Sequence, residues 1–300
     1  MNHFLDIKAL SAQSALELIQ RAMSFKNTSV YPLYPKVKVA NLFYENSTRT
    51  RVSFELAAKN LGMQVINFDK LASSESKGEI IEDTMQTLAA MGIQLFVIRH
   101  VQERLPEMLA QQCGGNIHII NAGDGTHAHP SQAMLDFMTI MEKHPDLSKI
   151  KLAVVGNIRH SRVANSIQSL SALLNVGDVA WVAPELWQPN DVEYGKVTSS
   201  LQEGIADADV VICLRVQRER LLEDEHLDLA SYRQNYALTR ESLAQAKPGV
   251  MIMHPGPMNR GVEIDSDIAD GAQSYILRQV NNGVFMRMAI LEKIALSVSQ

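Results

Sequence analysis

Short runs rich in valine and isoleucine alternate along the chain with longer segments whose apolar residues recur at helical spacing. The run KVKVANLF, which ends at Phe43, predicts a strand. RVSFELAAKNLG follows and predicts a helix, and Gly62 stands where a C-cap glycine would end it. The alternation continues with the strands MQVINF, IQLFVIR and NIHIINA and the helices EIIEDTMQTLAAMG and RLPEMLAQQCGG. This repetition with short connections predicts a parallel sheet covered by helices on both faces.

A second series of the same kind begins after the long predicted helix HPSQAMLDFMTIMEKH and the predicted linker PDLSKI. Its strands are KLAVVGNI, DVAWVAP, DVVICLRV and VMIMHP, and its helices are SRVANSIQSLSALLNVG and VTSSLQEGIADA. The closing VFMRMAILEKIALSV is amphipathic with no strand after it, so it is expected to pack back on the first domain. The pattern therefore predicts an α/β fold of two domains, residues 1–143 with the C-terminal helix 284–300, and residues 144–283.

Composition narrows the class of protein. The 300 residues are 46% hydrophobic and 20% charged, with a net charge of −5, so neither a nucleic acid nor a membrane is an expected partner. No stretch approaches the ~20 apolar residues of a membrane span. MNHFLDIKAL does not have the pattern of a signal peptide. Cys113 and Cys213 are too few for a disulfide framework or a structural zinc site, and a cytoplasmic protein is expected.

Polar clusters stand at the ends of the predicted strands, where ligands of open α/β sheets collect. In the first domain they are Ser47–Arg51, Arg99–His100 and GDGTHAHPSQ, and in the second they are GNIRHSR, RVQRER and HPGPMNRG. The cleft between the domains is therefore the predicted site.

The pentad STRTR begins a predicted helix, where free N–H groups and the helix dipole favour an anion. Ser47, Thr48 and Thr50 add hydroxyl donors, and Arg49 adds a planar fork suited to phosphate oxygens. The alternative is an ordinary Ser/Thr N-cap followed by a solvated arginine. Because the chain has neither a P-loop nor a G-x-G-x-x-G motif, the predicted phosphate ligand is small.

GDGTHAHPSQ contains a second candidate group. Pro130 fits the first position of a helix, which leaves His129 near the N-cap. A helix N-terminus lowers the pKa of an imidazole, so His129 is expected to be neutral and to donate a hydrogen bond to a carbonyl oxygen. Two alternatives are a metal pair of His127 and His129 with Asp124, and a purely structural capping histidine.

The second domain offers separated arginines. Arg162 is predicted at a helix start, where it opposes the dipole unless an anion binds, and Arg215 follows a buried strand. Two such arginines suit a ligand with two carboxylates, whereas Arg218 and Arg220 fit a solvated face. No nucleophile–base pair is evident, so we expect catalysis by positioning and charge stabilisation, without a cofactor or metal.

In this order the motifs resemble the catalytic chain of the aspartate carbamoyltransferase family. STRTR, KGE, RH, GDG…HPSQ, RVQRER and HPGPMNRGVEI all match, over a range from about Phe43 to Ile264. The resemblance implies transfer of the carbamoyl group of carbamoyl phosphate to the amine of L-aspartate, in pyrimidine biosynthesis.

The resemblance also implies roles for individual residues. The phosphate would be bound by Ser47, Thr48, Arg49, Thr50 and Arg99. The catalytic groups that polarise the carbamoyl oxygen would be Thr50, Arg99 and His129. Gln132 would contact the amide nitrogen of carbamoyl phosphate. The aspartate carboxylates would be bound by Lys77, Arg162, Arg215 and Gln217. The backbone around Gly256 and Pro257 would position both amines, with a cis peptide before Pro257.

Members of this family are homotrimers in which a neighbouring subunit completes each active site. Ser73 and Lys77 in ASSESKGE match that loop, and the resemblance implies that both would bind carbamoyl phosphate. The stretch by itself reads as a solvated loop. The sequence leaves open whether a separate regulatory or dihydroorotase-like chain binds as a further partner.

Two rival functions remain. Ornithine carbamoyltransferases carry His-Cys-Leu-Pro where this chain has His254-Pro255-Gly256-Pro257, and the Arg215–Gln217 segment suits an acidic substrate instead. The other rival is a non-catalytic anion-sensing subunit on the same fold.

Overall fold

The computed structural model of the chain describes residues 1–68, 78–189, 191–217 and 228–298. It divides into two compact units, Met1–Met138 together with the segment from Val280 onward, and Thr139–Gln279.

The first unit is built on a four-stranded parallel sheet in the order β2-β1-β3-β4. Its strands are β1 (Lys38–Phe43), β2 (Gln64–Phe68), β3 (Leu95–His100) and β4 (His118–Asp124). Its helices are α1 (Ala12–Lys26), α2 (Thr48–Asn60), α3 (Ile81–Ala90), α4 (Leu105–Gln112) and the start of α5 (Pro130–Met141). Every residue of β4 is buried, as expected for a strand in a sheet that helices cover on both faces.

The N-terminal segment covers the outer edge of β4. The Phe4 N–H donates to the Ile119 carbonyl at 2.8 Å, and the Asn121 N–H donates to the Phe4 carbonyl at 2.8 Å. Asp6, a little further along, approaches His127 to 3.5 Å. These contacts continue the parallel pairing of the sheet by one short bridge.

The second unit has a five-stranded parallel sheet in the order β7-β6-β5-β8-β9. Its strands are β5 (Lys151–Val155), β6 (Asp178–Val182), β7 (Lys196–Thr198), β8 (Val210–Cys213) and β9 (Met251–Met253). Its helices are α6 (Arg162–Leu173), α7 (Leu201–Ile205), α8 (Leu229–Tyr236) and α9 (Ser266–Ala269). A last helix, α10 (Ile276–Val298), follows.

The predicted fold class is confirmed, including the return of the C-terminal helix to the first unit. Glu292 of α10 forms an ion pair with Arg21 of α1 at 2.6 Å, and Asn282 accepts a hydrogen bond from Lys26 at 2.7 Å. α10 begins at Ile276 rather than at residue 284. The weak helix formers Asn281, Asn282 and Gly283 therefore lie inside the helix, where the contact of Asn282 with Lys26 helps to hold them.

One predicted helix is wrong over half its length. VTSSLQEGIADA begins with the end of β7, and only Leu201–Ile205 is helical. The Ser200 hydroxyl caps the helix by accepting from the Glu203 N–H at 3.2 Å, so the helix begins after Ser200 and not at Val197. Asp207 then has a positive φ of 53°, which ends the segment.

The helix α8 has no apolar periodicity strong enough to be predicted from the sequence.

Each sheet reverses its strand order at one point. In the first sheet β1 and β3 are neighbours, and the chain leaves them in opposite directions towards β2 and β4. In the second sheet β5 and β8 stand in the same relation. Ligands of open α/β sheets bind beyond the carboxyl ends of strands at such a switch point. None of the helices in the described ranges has the length and hydropathy of a membrane span.

Candidate active site

The pentad predicted to bind phosphate lies at the first switch point, between β1 and α2. Ser47 occupies the N-cap position of α2, but its side chain makes no capping hydrogen bond. Thr48 and Arg49 in the first turn are exposed, and Thr50 is buried. The capping alternative requires the Ser47 hydroxyl on the helix N–H groups, so this geometry favours the interpretation as an anion site.

Arg99 is the next-to-last residue of β3, on the other side of the same switch point. Its Nε lies 3.2 Å from Oε2 of Glu45, and its Nη1 donates to the Ala122 carbonyl at 3.4 Å. The Tyr44 N–H donates to the Arg99 carbonyl at 2.9 Å, which ties the loop after β1 to β3. The guanidinium and the pentad therefore share one edge of the sheet.

Asp124 anchors the loop between β4 and α5. Its carboxylate accepts hydrogen bonds from the Arg104 N–H at 2.6 Å, from Asn121 Nδ2 at 2.7 Å and from His127 Nδ1 at 2.9 Å. The hydrogen bond to Asp124 is the largest cause of a raised pKa at His127, with a further contribution from Asp6. Within the described part of the chain no group of three or more His, Cys, Asp or Glu side chains could hold a metal ion. The hydrogen bonds of Asp124 and His127 hold the loop between β4 and α5, and the geometry gives no support to the metal alternative.

His129 and Gln132 stand at the start of α5. The His129 carbonyl accepts from the N–H groups of Gln132 at 3.0 Å and Ala133 at 3.3 Å, so His129 is at the N-cap and Pro130 at the first helical position, as predicted. Gln132 Nε2 donates to Oδ1 of Asp136 at 2.8 Å. Both predicted side chains are buried and held on the first turn of one helix.

Arg287 of α10 lies behind this turn and was missed by the sequence reasoning. Its Nη2 donates to Ser131 Oγ at 3.4 Å, its Nη1 donates to the Gly283 carbonyl at 3.1 Å, and its guanidinium lies 5.0 Å from the centre of the Phe54 ring. Burial lowers the pKa of Arg287 to about 10, although the charge of Asp136 acts to raise it. A signal was available, because Arg287 is a single charge inside the apolar run VFMRMAIL.

The second unit places its predicted residues around its own switch point. Arg162 is the first residue of α6, after β5, and is buried, while the Ser161 hydroxyl caps the helix by accepting from the Ala164 N–H at 3.2 Å. Arg215 and Gln217 follow β8 and are half-buried. The loops after neighbouring strands therefore carry two arginines and an amide.

The segment after β9 is held by a buried acid. His254 Nε2 lies 3.3 Å from Oε1 of Glu263, and the same oxygen accepts from the Asn259 N–H at 2.5 Å. The Gly256 N–H donates to His254 Nδ1 at 2.8 Å, and the peptide before Pro257 is cis, as predicted. Glu263 was not identified from the sequence.

Asn259 connects this segment to the neighbouring one. Its Nδ2 donates to the Val216 carbonyl at 3.2 Å, between Arg215 and Gln217. The loops after β8 and β9 are thus fixed to each other. Four predicted residues, Ser73, Lys77, Arg218 and Arg220, lie outside the described residues.

Two parallel sheets that each carry arginines with hydroxyl or amide side chains at a switch point define an α/β protein that binds small anionic molecules. The family model of the aspartate/ornithine carbamoyltransferase, carbamoyl-P binding domain matches residues 2–142, and the model of the Asp/Orn binding domain matches residues 148–294. The chain belongs to the aspartate/ornithine carbamoyltransferase family, in agreement with the resemblance read from its motifs.

Individual relatives agree with this assignment. The chain is 62% identical over 297 residues to an aspartate carbamoyltransferase catalytic subunit of Legionella pneumophila, with 99% of this chain and 100% of the relative covered. It is 44% identical to an aspartate carbamoyltransferase catalytic subunit of Coxiella burnetii, with 97% of this chain and 95% of the relative covered. Among solved structures, an aspartate transcarbamoylase of Trypanosoma cruzi in complex with carbamoyl aspartate and phosphate has a TM-score of 0.87 at 29% identity, with 97% and 95% covered.

Proposed function

We propose that this protein transfers the carbamoyl group of carbamoyl phosphate to the amine of L-aspartate, giving N-carbamoyl-L-aspartate and phosphate in pyrimidine biosynthesis. One observation carries the proposal: each switch point presents cationic and neutral donor groups, in a chain whose net charge is −5. A phosphate dianion and an amino acid with two carboxylates repel each other, so a site that binds both needs such a local concentration of cations.

The phosphoryl group binds at the first switch point. Ser47, Thr48 and the first N–H groups of α2 donate to its oxygens. Arg49 and Arg99 supply charge-assisted hydrogen bonds. The exposure of Arg49 and the absence of a capping bond at Ser47 support this arrangement.

Thr50, Arg99 and His129 polarise the carbamoyl oxygen, and Gln132 contacts the amide nitrogen. The aspartate amine attacks the carbonyl carbon, an oxyanion develops, and these donors stabilise it. The bond from carbon to the bridging phosphate oxygen then breaks, and the departing phosphate accepts the amine proton. This last step accounts for a site without a dedicated base, and an acid–base residue whose removal abolished turnover but not binding would refute it.

Aspartate binds at the second switch point. Arg162, Arg215 and Gln217 bind its carboxylates, and the backbone carbonyls around Gly256 and Pro257 position the amines of both substrates. The hydrogen bond that joins Asn259 to Val216 supports this proposal, because it fixes the two loops to each other. The two domains of the proposal are a carbamoyl-phosphate domain, residues 1–143 with 284–300, and an aspartate domain, residues 144–283.

The assembly we propose is a cytoplasmic homotrimer in which Ser73 and Lys77 of a neighbouring subunit complete each site. Supporting it, Val52 and Leu56 are 46% and 45% exposed one turn apart on α2, and Ile66 on the edge strand β2 is 43% exposed. Light scattering should give a mass of three times 33.3 kDa, about 100 kDa. A monomer that is active at assay concentration would contradict shared sites.

The deciding experiment is a colorimetric assay of carbamoyl-amino-acid formation from carbamoyl phosphate with either L-aspartate or L-ornithine. We expect product with aspartate only, lost in Arg49→Ala and retained in Arg51→Ala, a matched control at another exposed arginine two residues further along α2. Product with ornithine would contradict the proposal that the arginines of the second unit bind an acidic substrate. Phosphate binding without product from either amine would indicate an anion-sensing subunit.

A further inference from the structure

The first turn of α5 rests on a buried polar network in which the proposed chemistry gives a role to Gln132 but none to Asp136 and Arg287. Gln132 Nε2 donates to Oδ1 of Asp136 at 2.8 Å, one turn further along the helix. Asp136 is fully buried, and Arg287 from α10 is 3% exposed. Because Arg287 contacts Ser131 of α5 and Phe54 of α2, the network reaches α2 as well as α5.

Arg287 and Asp136 interact electrostatically. Burial lowers the pKa of Arg287 to about 10, so Arg287 is a cation at neutral pH. A buried cation with no counter-charge is far more costly than a pair, and the carboxyl group of Asp136 is the counter-charge that interacts with Arg287. Towards the Gln132 amide, Oδ1 of Asp136 acts as the acceptor.

The hydrogen bond to Asp136 restricts the orientation of the Gln132 amide. A glutamine amide has a donor end and an acceptor end, and a free amide can turn either one towards a ligand. With Nε2 committed to Asp136, the end left for a ligand is the acceptor Oε1. An acceptor suits the amino group of a carbamoyl donor and offers nothing to the methyl group of acetyl phosphate.

We propose that Asp136, with Arg287 as its buried counter-charge, is a positioning residue that fixes the orientation of the Gln132 amide and so makes the site select the amino group of carbamoyl phosphate. The inference rests on the proposed function and deepens it, from an acyl phosphate in general to the carbamoyl group in particular.

The test compares two ligands in Asp136→Asn. An asparagine lets the Gln132 amide turn, so the KM of carbamoyl phosphate should rise roughly 10–100-fold, the effect of losing an oriented polar contact. The Ki of acetyl phosphate, measured as a competitor of carbamoyl phosphate, should change less than about threefold because its methyl group never used the contact. Asp178→Asn, an exposed aspartate at the start of β6, is the matched control.

The outcomes separate this inference from the proposed function. Equal changes for both ligands would indicate general loosening of the site, and unchanged values would indicate no role, so either result would overturn the positioning role. Absence of wild-type turnover with carbamoyl phosphate and aspartate would instead overturn the proposed function, and this inference with it.

A measurement on the wild type covers the case in which Asp136→Asn does not fold. Crystals would be grown with phosphonoacetamide, an unreactive amide analogue of carbamoyl phosphate. The Gln132 amide should lie within hydrogen-bond distance of both the Asp136 carboxylate and the amide nitrogen of the analogue. A Gln132 side chain turned away from Asp136, or an analogue nitrogen bonded elsewhere, would overturn the inference.

Discussion

In the first unit most of the predicted polar groups stand on the first turns of helices, whereas in the second unit most of them lie in loops. Thr50 and His129 have positions set by the backbone of α2 and α5, with helix N–H groups close by. Arg215 and the Gly256–Pro257 peptide depend on side chains beneath them, above all on Glu263. The first arrangement is preorganised for charge that develops in a reaction, and the second gives a surface whose contacts decide which molecule binds.

Each switch point also has a buried acid, but the two acids act on different things. Asp136 holds a side chain, that of Gln132, while Glu263 holds a backbone N–H and the imidazole of His254. Substitutions at the first site should therefore change turnover or the KM of carbamoyl phosphate, and substitutions at the second should change aspartate affinity and the stability of its loops. The following predictions test this division.

Thr50→Ala should give the largest effect. Loss of one donor to the developing oxyanion lowers kcat by roughly 10²–10³-fold. Thr50→Ser, which keeps the hydroxyl, should retain most of the activity. The measurement is kcat at saturating concentrations of both substrates, and a fall of less than about tenfold would remove Thr50 from the catalytic groups.

Arg215→Ala should act on binding. Loss of a charge-assisted hydrogen bond to a carboxylate raises the KM of aspartate roughly 10–100-fold, with a smaller change in the KM of carbamoyl phosphate. Arg240→Ala, at an arginine whose side chain is 85% exposed in the same unit, is the control. A variant in which kcat falls and the aspartate KM stays constant would contradict the division between the two sites.

Glu263→Gln should weaken the second unit. One carboxylate oxygen serves both His254 and Asn259, and an amide that satisfies only part of this set lowers the free energy of unfolding by about 1–3 kcal/mol. Thermal unfolding monitored by circular dichroism measures the change, with exposed Glu241→Gln as the control. We also expect the aspartate KM to rise more than the carbamoyl phosphate KM, and equal increases would argue against a local role.

His127 should give the smallest effect, and one that depends on pH. Its pKa in the folded protein is raised above the ordinary 6.5, chiefly by the hydrogen bond to Asp124. Its contribution to stability is therefore complete below pH 6.5 and is lost as the pH rises through the raised value. Melting curves of the wild type and His127→Gln should converge as the pH rises from about 6 to about 9, and a constant difference would contradict the assignment.

The sequence revealed the parts of the site that are contiguous. STRTR and HPSQ each place several donors within one helical turn, so their local pattern carries the chemistry. Arg287 could not be linked to its partner in this way, because 156 positions separate it from Ser131. The strand β7 is only three residues long, and its pairing with β6 rather than its own propensity makes it a strand. Local reasoning therefore recovers the groups that meet a ligand better than the groups that hold them.

The pairing of Phe4 with β4 bears on how the protein behaves after purification. A strand edge stripped of its cover is a template for pairing with another chain. Proteolytic loss of the first six residues would uncover the outer edge of β4 and remove Asp6 from His127, so a shortened product should self-associate and precipitate. An intact N-terminus is thus a practical criterion of quality for any preparation of this protein.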